Sequence, residues 1–385
     1  MALRLVAALV AMFVLVGGFC WAAEPEEAVT LEELDIASVE QFVSQLDSDL
    51  QSYLPDLRPS RLLEAVRQQG VAGTVGEFLE GLLKYIFYEV LAGSSLLGKT
   101  VILGAACVVL QQIACAFSGG GVSWIAHTVG YLAIMTLALG SFSLALGAAS
   151  QAIAGMIDFT HALIPALFTL LAALGGISST SILHPLILTG LGVVGAVIRN
   201  VALPLIFFSV VLGLVSEISE RFQVSRLASI CRDLAVAVIG LLLTGFIGIL
   251  TVTGAAAASM DALALRTTRF LTSAFIPVIG RTLADAVETV ASTSFFLKSV
   301  LGLSGVLVIV ALAALPAAKI LSLVLVYRLA GALIQPLGDV RVGNLLDRLA
   351  GNLLTLFAAV AAVGLMFFLA IGVVIGVGSA TLMLR

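Results

Sequence analysis

The chain has 385 residues, of which 61% are hydrophobic and 11% are charged, and its formal net charge is −4. Soluble domains rarely exceed about half apolar residues, so this composition excludes an ordinary soluble protein. The apolar runs are solid, which also excludes a β-barrel, whose strands of about ten residues would alternate polar and apolar positions. The sequence therefore predicts an all-α, polytopic helical membrane protein.

The first 23 residues have the pattern of a secretory signal peptide. Arg4 precedes an apolar core, and small residues at positions 22 and 23 come before an acidic stretch. If the signal functions, residues 24–93 lie outside the cytoplasm. This region holds fourteen acidic and four basic side chains, a net charge of −10. Its apolar spacing predicts helices packed on, or lying at, the membrane surface.

The membrane body begins near residue 94 and has a basic excess, with fourteen basic and nine acidic side chains. We divide it into a first transmembrane segment, two membrane repeats, and a final segment with a short tail, at 94–121, 122–233, 234–349 and 350–385. About six to nine spans are expected. Seven candidate spans stand out, at 96–117, 124–146, 153–174, 182–216, 234–257, 300–327 and 353–375.

The fourth candidate span is too long for a single crossing. As one helix its 35 residues would run about 52 Å, against a hydrocarbon core of about 30 Å. We expect the chain to bend back or break near Arg199, Asn200 and Pro204, because proline disturbs a helix interior.

Four prolines suggest an internal duplication. Pro165 and Pro277 are 112 residues apart (277 − 165), and so are Pro204 and Pro316 (316 − 204). A Gly-Leu pair matches in the same register, and a Ser-Thr-Ser triplet matches with a slip of one residue. We therefore predict a period of about 112 residues with helices broken at these prolines. Basic segments that close both units favour parallel repeats.

The segment FIPVIGRTLADAVETV carries three charges on one predicted helix face, Arg281, Asp285 and Glu288. Its counterpart in the first unit, IPALFTLLAALGGIS, carries none. Because charges at bilayer depth need a partner or water, the second copy must line a cavity, contact another subunit or lie among the headgroups. We count Asp158 and Lys298 with these three as candidate pore-lining or partner-docking residues.

Two further patterns concern proton transfer and helix packing. Asp158 and His161 are spaced to share a helix face, which suits either a proton relay or a helix end near water. Gly372 and Gly376 form a GxxxG motif in the final span, which admits another helix closely. The partner helix belongs either to this chain or to another protein.

Catalytic and cofactor motifs find no support in the sequence. GSSLLGKT formally matches a phosphate-binding loop, but it opens a predicted transmembrane segment where a buried strand would have to precede it. The four cysteines include no CxxC pair, and neither a metal-ligand spacing nor a Ser-His-Asp arrangement stands out. We expect no enzymatic activity, no metal, no cofactor and no nucleic acid partner.

Long ordered blocks of the second half resemble a known family. RFLTSAFIPVIGRTLADAVETV, STSFFLKSVLGLSGV, LPAAKILSLVLVYRLAGALIQPLGD and FAAVAAVGLMFFLAI are similar to stage III sporulation protein AE of endospore-forming bacteria. ALIPALFTLLAALGG and SILHPLIL extend the match, so it covers most of residues 150–385.

The resemblance implies a role that composition and spacing do not reveal. Members are multipass proteins of the mother-cell membrane around the forespore, in a secretion or feeding channel. Implied partners are the other proteins of the stage III sporulation A operon, namely an ATPase, small membrane proteins and ring-forming proteins, and a forespore membrane protein. The alternative is a stand-alone, permease-like transporter with its substrate site between the repeats, near Pro165 and Pro277.

Overall fold

The computed structural model describes residues 37–44, 55–117, 121–218, 224–275, 280–337 and 340–383. All secondary structure in these ranges is helical, which confirms the all-α prediction. The helices are α1 (Ala37–Ser44), α2 (Pro59–Ala92), α3 (Ser94–Phe117), α4 (Gly121–Ala173), α5 (Ile177–Val197), α6 (Leu203–Ile218), α7 (Ser225–Phe275), α8 (Gly280–Ile334) and α9 (Val340–Met383).

Six stretches of the described chain are long and apolar enough to cross a membrane, which confirms the polytopic class. The shortest has 36 residues, about 54 Å of helix, whereas the hydrocarbon core is about 30 Å thick. Part of every stretch therefore extends beyond the hydrocarbon region. The stretches are Pro59–Val109, Thr128–Ala173, Ile177–Ser216, Ser225–Ala264, Ser294–Ile334 and Val342–Val377.

Helix α4 joins two spans that the sequence analysis separates. The predicted spans 124–146 and 153–174 are parts of one helix of 53 residues. The six residues between them read Gly-Ala-Ala-Ser-Gln-Ala. They include no proline and no charge, so nothing there ends the helix.

The predicted break near Pro204 is a π-helical turn, Ile198–Ala202, between α5 and α6. The N–H of Leu203 donates to the carbonyl of Ile198, five residues back. This wider turn accommodates a proline that has no N–H and whose ring crowds the carbonyl four residues before it. The disturbance lies where the sequence predicts it, but the chain does not reverse there.

The helices continue through two of the other prolines. Pro165 lies inside α4 and Pro316 inside α8, so neither ends its helix. A proline removes one backbone hydrogen bond, and membrane helices tolerate this where neighbouring groups compensate. Pro277 lies outside the described residues.

The structure does not confirm the internal duplication. The first Ser-Thr-Ser triplet, 179–181, lies in the first turn of α5. Its proposed counterpart, 292–294, lies inside α8. Likewise, Pro204 follows a π-helical turn, whereas Pro316 is in regular α-helix. Residues that match in the proposed repeat therefore lie in different local structures.

Helix α8 is the centre of the bundle and packs against α2, α3, α4 and α9. It runs antiparallel to α4, because Gly305 lies against Leu163 while Gly155 lies against Leu312. Glycines let these backbones approach closely, as is common between membrane helices.

Helix α2 runs along α8 in the same direction. Ser304 Oγ donates to the carbonyl of Leu57 (2.9 Å), and Ser322 Oγ donates to the carbonyl of Glu89 (3.0 Å). A kink at Gly70, whose φ is 74°, divides α2 into two parts. The described part of the acidic region therefore lies against the central helix, while its exposure to the extracytoplasmic side stays a prediction.

The glycines of α9 differ in how much room surrounds them. A Cβ added at Gly364 would lie 2.7 Å from Cβ of Ala313, a group that cannot rotate away. A Cβ at Gly372 or Gly376 would meet no atom within 4 Å. The GxxxG motif therefore makes no tight contact among the described residues, and a contact with another protein stays a prediction.

Gly364→Leu is therefore expected to destabilise the protein, by about 1–3 kcal/mol from overpacking. Gly372→Leu on the same helix is the matched control and should leave the thermal midpoint of the purified protein unchanged. Thermal denaturation in detergent, followed by size-exclusion chromatography, measures both. Equal loss in the two variants would mean that Gly364 is not a tight helix contact.

Candidate functional site

Asp261 is a buried carboxylate that caps another helix. Its side chain, on α7, is 1% exposed. It accepts hydrogen bonds from the backbone N–H groups of Ser178 (2.8 Å) and Ser179 (3.1 Å). These are unsatisfied donors in the first turn of α5, where the helix dipole also favours negative charge. Asp261 therefore anchors the start of α5 to α7 across 82 residues of chain.

Asp261 is not among the candidate site residues predicted from the sequence. A signal is nevertheless present, since Asp261 ends a run of uncharged residues, 234–260, in α7. In the sequence, the Ser-Thr-Ser triplet stands out only as part of the proposed repeat. In the structure it opens a helix after a turn at Gly175, whose φ is 90°.

Lys298 is a buried cation in α8. It is 1% exposed, and its Nζ has no hydrogen-bond partner among the described residues. Ionisable side chains within membrane helices are costly and typically mark a functional position. Gly305, seven residues later, faces Leu163 near the end of α4. Lys298 therefore lies at the same end of the bundle as the α4–α5 turn and Asp261, and it is closed to solvent.

Asp158 and His161 share an exposed face of α4. Asp158 is the only Asp, Glu, Lys or Arg in the 53 residues of this helix. Beside it, Phe159 is buried and its ring contacts that of Phe42 in α1 at 5.3 Å between centroids. The structure thus brings the predicted Asp158–His161 pair to the surface, next to the packed N-terminal helix.

Helix α2 contributes a charged outer face that the sequence analysis treats as part of a separate region. Lys84 Nζ lies 2.8 Å from Glu80 Oε1, and the two side chains are 67% and 69% exposed. Glu77, one turn earlier, is also exposed, while Phe78 and Tyr85 on the opposite face are buried.

The three charges of the opening segment of α8 are described only by their backbone. Arg281, Asp285 and Glu288 lie in one continuous helix from Gly280. Their side chains are outside the described residues, so their role stays a prediction.

Polar side chains also join helices, in the interior of the bundle and, at Arg232, at its exposed edge. Ser141 and Tyr327 are hydrogen-bonded across α4 and α8. Ser209 donates to Asn352 Oδ1 (3.4 Å), and Arg232 Nε donates to Thr355 Oγ1 (3.2 Å). These bonds satisfy polar groups that lipid could not, and they support packing rather than chemistry.

A metal or nucleotide site finds no structural basis in the described chain. Its His, Cys, Asp and Glu side chains include no group of three that could hold a metal ion. The phosphate-loop match at residues 93–100 begins at Gly93, between α2 and α3, and continues through the first turns of α3, whereas that chemistry requires a preceding strand.

These features define a polytopic, all-helical membrane protein with ionisable side chains both inside its bundle and on its outer face. The family model for stage III sporulation protein AE (spore_III_AE) matches residues 57–378. The chain therefore belongs to the stage III sporulation protein AE family, which confirms the resemblance noted in its sequence.

The family match includes all six apolar stretches of the described chain. The chain is 40% identical to stage III sporulation protein AE of Bacillus subtilis (strain 168) over 365 residues. This alignment covers 94% of the chain and 91% of the relative. No solved structure matches the chain.

Proposed function

We propose that this chain is a multipass membrane core component of the channel between mother cell and forespore. In this role it sustains forespore development and late forespore gene expression. The observation that carries the proposal is the family match across residues 57–378, which includes every apolar stretch of the described chain. Lys298, buried in the central helix, adds support, because intramembrane charges usually serve function.

The proposed location is the mother-cell membrane around the forespore, with the acidic N-terminal region facing the intermembrane space and its α2 part packed against the membrane bundle. The proposed partners are the other products of the stage III sporulation A operon, including its ATPase, and a forespore membrane protein. The chain itself has no catalytic role in this proposal. The alternative, a stand-alone permease-like transporter with its substrate site between the repeats, has less support, because the structure does not confirm the repeats.

Disrupting the gene tests this function directly. Heat-resistant spores should be lost while vegetative growth stays normal, and a tagged copy should co-purify with operon proteins from sporulating cells. Normal spore yield after disruption would contradict the proposal.

A double substitution tests the role of the charged segment. Asp285→Asn with Glu288→Gln keeps the side-chain shapes and removes both charges, so the helix should form as before. We expect a loss of heat-resistant spores at an unchanged protein level in membranes. Unchanged spore yield would show that these carboxylates neither line a passage nor dock a partner.

A further inference from the structure

The outer surface of α7 identifies the side of the bundle that faces lipid. Residues 234–260 contain no charged side chain, and these 27 residues correspond to about 40 Å of helix. That exceeds the hydrocarbon thickness of about 30 Å. Leu241, Ile249 and Val252 are exposed along it. The middle of this run, close to Phe246, therefore marks the middle of the bilayer.

Contacts between helices give the position of α4 relative to the middle of the bilayer defined on α7. Gly190 of α5 lies against the ring of Phe246, and Gly195 of the same helix lies against Ile157. The two glycines are five residues apart, about 7–8 Å along the axis. Asp158, adjacent to Ile157, thus lies within the hydrocarbon layer and not at its edge.

Contacts with the central helix α8 give the depth of α2 relative to Asp158. Asp158 lies between Gly155 and Leu163, which face Leu312 and Gly305 of α8. Glu80 lies nine residues before Glu89, whose carbonyl accepts from Ser322. Nine residues are about 14 Å, which places Glu80 opposite residue 313.

Helix α2 stays against the bundle over this length. Its inner face is buried at Thr74, Phe78, Gly81 and Tyr85, a three- and four-residue spacing that faces one side. Glu77 and Glu80 therefore lie at about the depth of Asp158, and all three are exposed.

The bundle consequently has two unlike sides at one depth. Helix α7 packs on α5, α6 and α9, and its outer face is free of charge over the run 234–260. Helices α2 and α4 both pack on α8, and they carry exposed carboxylates. Carboxylates facing hydrocarbon are strongly unfavourable, whereas they are stable against water.

We propose that the α2–α4 side borders water in the middle of the membrane and forms a charged wall of an aqueous passage. The wall lies on the outside of this chain, so neighbouring chains of the assembly complete the passage. The exposed charges of this surface are of both signs, since Arg58, Arg61, Arg67 and Lys84 accompany the carboxylates. This inference rests on the proposed channel function and assigns its water-facing surface.

Cysteine accessibility tests the wall in native membranes of sporulating cells. Glu80→Cys and Asp158→Cys are made in a cysteine-free chain, with Glu77→Cys as a substitute if Glu80→Cys fails to accumulate. The probes are membrane-impermeant methanethiosulfonates, one cationic and one anionic. Thr244→Cys, exposed near the same depth on α7, is the lipid-facing control, and Arg226→Cys, exposed at the start of α7, is the labelled control.

We expect both wall variants to react with both probes, while Thr244→Cys reacts with neither. If the wall variants did not react while Arg226→Cys was labelled, the α2–α4 side would not border water. If disruption leaves spore yield normal while the wall variants react, the channel function fails and the water-facing surface stands.

Discussion

Asp261→Ala is expected to destabilise the protein by about 3 kcal/mol, because it removes the side-chain acceptor of two backbone N–H groups, one part-buried and one buried. The N–H groups of Ser178 and Ser179 would lose their partner in the first turn of α5. The substitution also removes the favourable charge at the N-terminus of α5. The loss should appear as a lower thermal midpoint in detergent and a lower protein level in membranes.

Two variants separate this cap from a general effect of charge removal. Asp261→Asn keeps one acceptor oxygen, so its thermal midpoint should lie between those of the alanine variant and the wild type. Asp233→Ala changes an exposed aspartate near the start of the same helix and should have little effect. If Asp261→Ala and Asp233→Ala had the same thermal midpoint, the cap would not stabilise the fold.

Lys298→Met is expected to stabilise the isolated protein by about 2.5 kcal/mol, the least cost of a lone charge at membrane depth. Methionine keeps most of the length of the side chain and needs no hydrogen-bond acceptor. If the ammonium serves the channel, the stabilised variant should nevertheless produce fewer heat-resistant spores. A more stable but less functional protein is the pattern of a site retained at the expense of stability.

Lys319→Met is the matched control, because Lys319 lies on the same helix and is exposed. Because its side chain is not buried, its substitution should change neither the thermal midpoint nor the spore yield. A lower midpoint for Lys298→Met would show that Lys298 has an acceptor that stabilises the fold. A higher midpoint with normal spore yield would leave Lys298 without a role in the channel.

Several features of this protein follow from local sequence. Apolar runs of sufficient length predict membrane helices because the bilayer requires every backbone polar group to be paired within the segment. The disturbance at Ile198–Ala202 is similarly local, since Pro204 lacks the N–H that a regular turn needs. The family resemblance is also carried by sequence alone, in ordered blocks that the family model matches.

The sequence by itself therefore determined the class of protein, its family and the place of the irregular turn. Tertiary structure alone decided that Asp261 caps α5, that Lys298 is buried, and that Glu80 lies at the depth of Asp158. The reason is physical: burial and depth depend on which helices pack together and in what register. A 112-residue period cannot supply that information, because leucine, glycine and proline recur in unlike helices, whereas contacts such as Ser304 with Leu57 join residues 247 positions apart.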